Sequence, residues 1–526
     1  MKTKRVITSS ILAVLSLSLG VSIPMETRAE PPILRVSIEN EPSTLDWQEA
    51  RSATDRFLVS FIMRGLLKYD AAGKPVCDLC REYSVSKDAR TYTFQLDPKA
   101  KWSDDAAVEA QQFVDSFRRL LDPANSFASA EPFRIINGAG NGVGAAGGAR
   151  AKFVAANLQV KAISKSTLEI GLSQPSNEFT HLLTQPAAYP VRKEFTPSAE
   201  KDSGVAMATQ ATLGPYFLGA WEHGKRLVIE GNPAFPIGRP VYRVEFILGT
   251  HADLIAQFEK ERIDILSNPT TEDMLKFRTR KIQVSPYWAT RNLVFNFQRP
   301  ASADASVRKA ILHALDRDSL PGFLKNGDRR ATGVIPPGMA GHRKLPLVTA
   351  DAGIAKSERD RASATGKKQI ELELLIRDTD VDKKVAEWLS QTLGKVSIKV
   401  VPKPRKVKAY YQDLERGQFD LALMVWMFNA ATPTDLLRSF RTGDPQNIGG
   451  WTNVAFDALL GQLQAENLPL QREKILDQLT QILEVQQVAA IPLGYPTNPF
   501  LLGRRVNSFA MTPFGDPDLV KTELKK

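Results

Sequence analysis

The sequence predicts an α/β protein built as more than one lobe, and three observations carry that expectation. At 526 residues the chain is too long for a single hydrophobic core. Short apolar strands alternate with amphipathic helical patterns along most of its length, which is the rhythm of α/β lobes. One stretch, residues 419–437 (FDLALMVWMFNAATPTDLL), has the form of a buried strand at 421–428. It ends at Asn429-Ala-Ala-Thr-Pro433 and passes into a new helical pattern.

The chain opens with Lys2, Lys4 and Arg5, an apolar run over 6–21, and the small-residue pattern Thr27-Arg28-Ala29. This is the form of a secretory signal at residues 1–29 with cleavage near Ala29. The run is short for a transmembrane anchor, and no cysteine follows it to carry a lipid. Lys2, Lys4, Arg5 and Arg28 against Glu26 contribute +3 to the net charge of +11, which leaves +8 on the mature chain. No Lys/Arg block interleaved with aromatics occurs, which argues against nucleic acid.

Residues 33–38 (ILRVSI) read as a strand, and 55–67 has helical spacing through Phe57, Phe61, Ile62 and Leu66. Residues 91–96 alternate as a strand. Trp102-Ser103-Asp104 leads into a helix over 108–121 that carries Phe113, Val114 and Phe117 on one face and stops at Asp122-Pro123. The glycine-rich stretch 138–148 holds a formal G-x-G-x-x-G at Gly142, Gly144 and Gly147. It lacks the preceding buried strand of a dinucleotide loop and reads as a surface loop. Residues 158–163 and 167–172 form a hairpin, and 241–248, 252–261 and 264–266 follow as strand, helix and strand.

A second lobe begins with the strand at 291–297 and the helix at 306–314. The strand at 371–376, the helix at 381–393 with Val385, Trp388 and Leu389 inward, and the strand at 396–401 lead to the 421–428 strand. Helices at 456–463 and 470–486 come next, and 489–493 leads out through the proline-punctuated 495–499. The buried strand and its polar turn are expected to place a ligand beside Trp426 and Asn429, between the lobes.

Cys77 and Cys80 are the chain's two cysteines, spaced C-x-x-C. A redox or metal pair is one reading, but a metal site needs about four ligands and neither a second pair nor a nearby histidine is present. In an exported protein the spacing reads as a small disulfide pinning a loop. The five histidines, His181, His223, His251, His313 and His342, sit in ordinary settings, and no G-x-S-x-G or H-E-x-x-H occurs. The expectation is a binding protein, with no cofactor and no metal; a secreted hydrolase is the remote alternative.

Several short motifs occur in a fixed order. They are Glu41-Pro-Ser-Thr-Leu-Asp46, Lys101-Trp-Ser-Asp-Asp105, Glu109-Ala-Gln-Gln-Phe-Val114 and Arg119-Leu-Leu-Asp-Pro123, then Gly214-Pro-Tyr216 and Asn232-Pro233. Val307-Arg-Lys-Ala310 with Ala314-Leu-Asp-Arg317, and Ile335-Pro-Pro-Gly338, complete the series. In this order the chain resembles the large extracytoplasmic solute-binding proteins of peptide ABC importers, the oligopeptide- and dipeptide-binding members of solute-binding protein family 5. The resemblance implies a two-lobed periplasmic binding protein fold (type II, large peptide-binding subclass) with an extra N-terminal subdomain. Lobe I would combine 30–64, 175–285 and 490–526, the extra subdomain would span 65–174, and lobe III 286–489, with crossovers near 283–290 and 485–492.

It further implies a periplasmic, monomeric protein that holds a peptide or peptide-like ligand between hinged lobes and delivers it to membrane permease subunits. By that resemblance Leu423, Val425, Trp426 and Met427, continuing into Phe428 and Asn429, run along the ligand. Arg51, Ser52 and Ala53 face it from the other lobe, and Phe127 and Tyr495 line the cleft. Peptide binders of this kind carry a carboxylate, paired with the ligand's α-ammonium, where this chain has Asn429. An ammonium left unpaired there costs about 3–5 kcal/mol. Either the ligand lacks a free amine, or another acid (Asp435, Asp46 or Glu49) serves, or the register shifts and Asn429 caps the following turn. The same fold would accommodate a metal chelate, haem, an opine or a sugar-peptide.

Overall fold

The computed structural model describes residues 32–525 except 51, 71–72, 141–152, 196–210, 236–242, 287, 363–369, 428–431, 445, 467 and 513–514. The signal-like segment, the Gly142–Gly147 motif, Arg51, Phe428 and Asn429 lie outside the described residues.

Three main sheets organise the chain. The first has seven strands in the order Lys281–Pro286, Thr497–Leu502, Ile265–Ser267, Ile33–Ile38, Arg243–Leu248, Arg226–Gly231, Tyr216–Glu222, so it draws on both ends of the chain. Ile33–Ile38 runs parallel to both of its neighbours. The helix Ala53–Ile62 packs Phe57 and Phe61 edge-on against Phe246 and Tyr216 of this sheet. The helix His251–Glu259 packs Leu254 and Phe258 into a separate small cluster with Leu266 and Leu501.

An antiparallel sheet of four strands, Cys80–Val85, Thr91–Leu96, Thr167–Gly171 and Val160–Ala162, forms a subdomain. The helix Ala110–Leu121 contributes Phe113, Val114 and Phe117 to its core, as the helical spacing requires. That core is continuous with the core of the seven-stranded sheet. Cys77 and Cys80 are joined by a disulfide of 1.99 Å at the corner between Pro75–Cys77 and Cys80–Val85.

The third sheet has six strands in the order Arg329–Arg330, Ala490–Tyr495, Ala289–Phe295, Leu421–Met427, Ile370–Arg377, Ile398–Arg405. Leu293, Phe295, Leu372, Leu374, Leu421 and Leu423 form its core with Val385, Trp388 and Leu389 of the helix Asp380–Gly394. The helices Val454–Ala465 and Pro469–Gln481 build a neighbouring core around Trp451, Phe456, Leu476 and Leu479. The molecule therefore has two halves: one holds the seven- and four-stranded sheets, the other the six-stranded sheet.

The backbone passes between the halves from Lys281–Pro286 to Ala289–Phe295, and from Ala490–Tyr495 to Thr497–Leu502. The first crossover lies between Pro286 and Ala289. The second comes later than the expected 485–492, because Ala490–Tyr495 stays paired with Ala289–Phe295 as far as Gly494. The proline-punctuated exit is itself a strand, Thr497–Leu502, with partners on both sides; Pro499 stands opposite Val284. The helix expected over 470–486 is α-helical to Gln481 and closes with a π-helical turn, Ile482–Gln486. No helix of the described residues is long and apolar enough to cross a membrane.

Candidate functional site

The strand Leu421–Met427 is paired along its whole length with Ala289–Phe295 on one edge. On the other edge it meets Ile370–Arg377 only at Leu374↔Leu421 and Leu375↔Ala422. From Met424 to Trp426 that second edge has no strand against it among the described residues. Burial follows the pairing: Leu421, Ala422 and Leu423 are buried, Met424 to Trp426 are half-buried, and Met427 is 40% exposed. The expectation of a wholly buried strand is thus corrected. The strand outruns its parallel partner, and its second part leaves the core.

This divides the expected contact residues. Leu423 is fully buried, and its carbonyl accepts a hydrogen bond from Tyr410 Oη at 2.8 Å, so its side chain belongs to the core. Val425 lies opposite Arg291. The Trp426 ring rests edge-on against Phe440, with centroids 4.9 Å apart, and so is braced by the core that holds Trp451 and Phe456. On the neighbouring strand, buried Arg291 donates to Asp382 Oδ1 at 3.0 Å and Asp328 Oδ2 at 3.2 Å. Arg377 Nε reaches the second oxygen of Asp382 at 2.8 Å, and Thr497 N donates to Asp328 Oδ1 at 3.1 Å. The strand's neighbours are therefore tied to the second crossover through charged hydrogen bonds.

Tyr495, expected to line a cleft, is only 2% exposed. Its hydroxyl accepts from Thr332 N and Gly333 N, each at 3.1 Å, and donates to Gly333 O at 3.0 Å. It fixes the start of the second crossover and does not form a cleft wall.

In the first half, Ser52 and Ala53 are exposed at the start of the helix Ala53–Ile62. Ser52 Oγ accepts from Asp55 N, while Asp55 accepts from Ser52 N, Ser43 N and Ser43 Oγ, which pins the 41–46 loop to the helix. Burial opposes ionisation of Asp55, yet these hydrogen bonds hold its carboxyl below the usual range. Phe127 is half-buried under the Arg119 guanidinium, 4.8 Å from its ring centre.

The three acids considered as substitutes for a carboxylate at position 429 stand differently. Asp46 is paired with Arg119 at 2.5 Å, and Glu49 is exposed. Asp435 lies half-buried in the first turn of the helix Pro433–Arg438, without a hydrogen-bond partner for its carboxylate among the described residues. Burial raises its pKa, while Arg438 pulls it back.

Sequence reading missed several residues near this region. Glu178, in the first half, accepts hydrogen bonds from Thr434 and Arg472 of the second. Trp288, just past the first crossover, packs against Tyr69 and against Gly73. Chain separation hides such pairs, and no local motif marks them. An open groove elsewhere, along the helix His251–Glu259 and rimmed by Glu39, Glu41, Asp253, Lys260 and Arg262, is remote in its lining from Leu421–Met427. No group of three His, Cys, Asp or Glu side chains able to hold a metal stands together among the described residues.

A sequence profile of the bacterial extracellular solute-binding proteins, family 5 (middle region), matches residues 74–447. The chain is 27% identical over 530 aligned positions to the periplasmic oligopeptide-binding protein OppA of Escherichia coli (strain K12), covering 95% of this chain and 94% of that one. It is 26% identical to the periplasmic murein peptide-binding protein MppA of the same strain, over 95% of each. The solved structure of the pheromone receptor PrgZ, described with its mode of peptide binding, superposes with a TM-score of 0.76 at 25% identity, over 94% of this chain and 99% of that one.

Proposed function

We propose, for a chain that belongs to the family-5 bacterial extracellular solute-binding proteins, that it captures an extended peptide or peptide-like ligand between its halves and delivers it to the permease subunits of an ABC importer. The observation that carries this reading is the open edge of the Leu421–Met427 strand from Met424 to Trp426, where Ile370–Arg377 no longer pairs with it. An unpaired strand edge offers a row of N–H and C=O groups to another backbone. A peptide that adds itself there gains affinity from main-chain bonds, whatever its side chains. Water-filled pockets around those side chains then tolerate variety. The oligopeptide- and murein-peptide-binding relatives support the ligand class.

In this reading Val425, Trp426 and Met427, with Phe428 and Asn429 beyond them, form one wall of the site, and buried Leu423 anchors that strand in the core. Arg51, Ser52 and Ala53, and less directly Phe127, form the opposing wall. Residues 30–64, 175–285 and the C-terminal segment make one lobe with 65–174 as its subdomain, and 286 onward to the second crossover makes the other. The family role is binding, and we assign no catalysis to the site. The protein is exported by cleavage of residues 1–29 and acts as a monomer in the periplasm.

Asn429 bears on which peptides bind. An amide cannot neutralise an α-ammonium, so N-blocked peptides, or ligands otherwise uncharged at that end, are favoured. Asn429→Asp is expected to raise affinity for free-amine peptides; unchanged calorimetric affinities would dispose of this point. The main reading is tested with a peptide selected from a random library and its singly N-methylated analogues. Methylation of amides that face the strand should weaken binding by roughly 2- to 10-fold each, the value of one net main-chain hydrogen bond. Equal affinity at every methylation position would overturn main-chain recognition.

A further inference from the structure

Glu178 immediately precedes the short helix Phe179–Leu182 in the first half of the molecule. Its Oε1 accepts from Thr434 Oγ1 at 2.8 Å and from Arg472 Nη2, both in the second half, 256 and 294 residues further on. One residue earlier, Asn177 Nδ2 donates to Glu466 O at 3.2 Å, again across the halves. The side chains of Glu178 and Arg472 are only 18% and 17% exposed. Most of the ion pair is therefore shielded, unlike the freely solvated pairs that contribute almost nothing.

Both partners are held in place by their own half. Arg472 Nη1 donates to Leu463 O at 2.6 Å and Glu466 O at 3.0 Å, so the corner between the helices Val454–Ala465 and Pro469–Gln481 aims the guanidinium. Thr434 lies in the first turn of Pro433–Arg438, the helix that follows the open-edged strand. On the other side, His181 in the Glu178 helix is hydrogen-bonded to Tyr69 Oη at 3.1 Å. The Tyr69 ring packs on Trp288 with centroids 6.0 Å apart. A continuous line of contacts thus runs from the first crossover to Glu178.

We propose that Glu178, Thr434 and Arg472 form a clasp that holds the two halves together through the chain's own groups, so that closure is set partly by the protein and only partly by its ligand. The proposal rests on the reading of two hinged halves. Charge-assisted hydrogen bonds with fixed partners are the stronger class. Opening would return both charges to water, so the clasp is reversible. Because apparent affinity scales with the fraction of molecules in the binding-competent state, the clasp should act equally on every ligand.

The test uses mature protein stripped of ligand by unfolding and refolding, with spin labels at Lys87→Cys and Lys384→Cys, one exposed position on each half. Glu178→Gln keeps the shape and the Thr434 bond but removes the charge. It should lower the closed-to-open ratio by about tenfold or more, and saturation with a random pentapeptide library should restore the shorter distance. Affinities for three unrelated library peptides should fall by one common factor. Thr434→Val, which leaves the ion pair, should shift the distances the same way by less. An unchanged distance distribution in Glu178→Gln, or affinity losses confined to particular peptides, would overturn the clasp. A distance that peptide never alters, in wild type or variant, would instead overturn the hinged halves on which it rests.

Discussion

At Arg291 the structure places a guanidinium beside the strand proposed to hold ligand, and pairs it with Asp382 and Asp328. Asp382 is completely buried and receives Arg377 as well, so it neutralises two guanidinium groups at once. Removing it strips Arg377 of its carboxylate and leaves buried Arg291 with Asp328 alone, a loss of up to about 3–5 kcal/mol. Asp382→Ala should lower the urea midpoint accordingly, with little change in the slope of the transition. His251 is a second case in which the partners decide. Burial pulls its pKa down, but its hydrogen bonds to Glu39 at 3.0 Å and Asp273 at 2.8 Å outweigh that and raise it. The folded state then binds the proton more tightly than the unfolded chain. Its stabilisation is whole below the ordinary histidine value of about 6.5 and fades as pH climbs through the raised value. The stability gap between wild type and His251→Ala, measured by urea melts, should narrow from acid toward mildly alkaline pH. Neither network was legible in the sequence. Asp382 reads as an ordinary polar residue near a helix start, and its Arg291 partner lies 91 residues away.

At the scale of elements, legibility followed local periodicity. Residues 33–38, 91–96 and 371–376 alternate or run apolar and became the strands Ile33–Ile38, Thr91–Leu96 and Ile370–Arg377. Lys281–Pro286 and Thr497–Leu502 carry no strand pattern because prolines and polar residues break it; tertiary pairing with each other makes them strands. The apolar run at 421–428 predicts the Leu421–Met427 strand but not its half-open character, which depends on where Ile370–Arg377 stops pairing. The Cys77–Cys80 disulfide closes a very short loop. On the chain-entropy estimate so small a loop contributes only about 2 kcal/mol. A Cys77→Ser, Cys80→Ser double variant should therefore fold, with a modest loss of thermal stability. Hydrogen exchange should place the added opening in the neighbouring strands Pro75–Cys77 and Cys80–Val85, with the six-stranded sheet unaffected.

The hydrophobic cores of the whole molecule do not merge across the crossovers: the one that joins the seven- and four-stranded sheets, with the small cluster of Leu254 and Phe258 beside it, stays separate from those of the six-stranded half. The links between the halves are few in kind. Two backbone passages, the Thr497–Asp328 hydrogen bond beside one of them, the Trp288–Tyr69 contact beside the other, and the Glu178 group are prominent among the described residues. Domains so joined move and melt with some independence, and a two-state description then need not hold. A ligand seated between them changes this, because it binds only when both halves are folded and facing each other. Its stabilisation follows mass action, about 2.7 kcal/mol at a hundred times its dissociation constant, and it is lost when either half unfolds. Calorimetry of the ligand-stripped protein should show two overlapping transitions. Saturation with a bound library peptide should raise the lower transition and draw the two together. A peptide N-methylated at its strand-facing amides should do neither at the same concentration. If instead peptide raised only the transition of one half and left the other where it was, binding would be confined to that half, and the two-walled site would have to be given up.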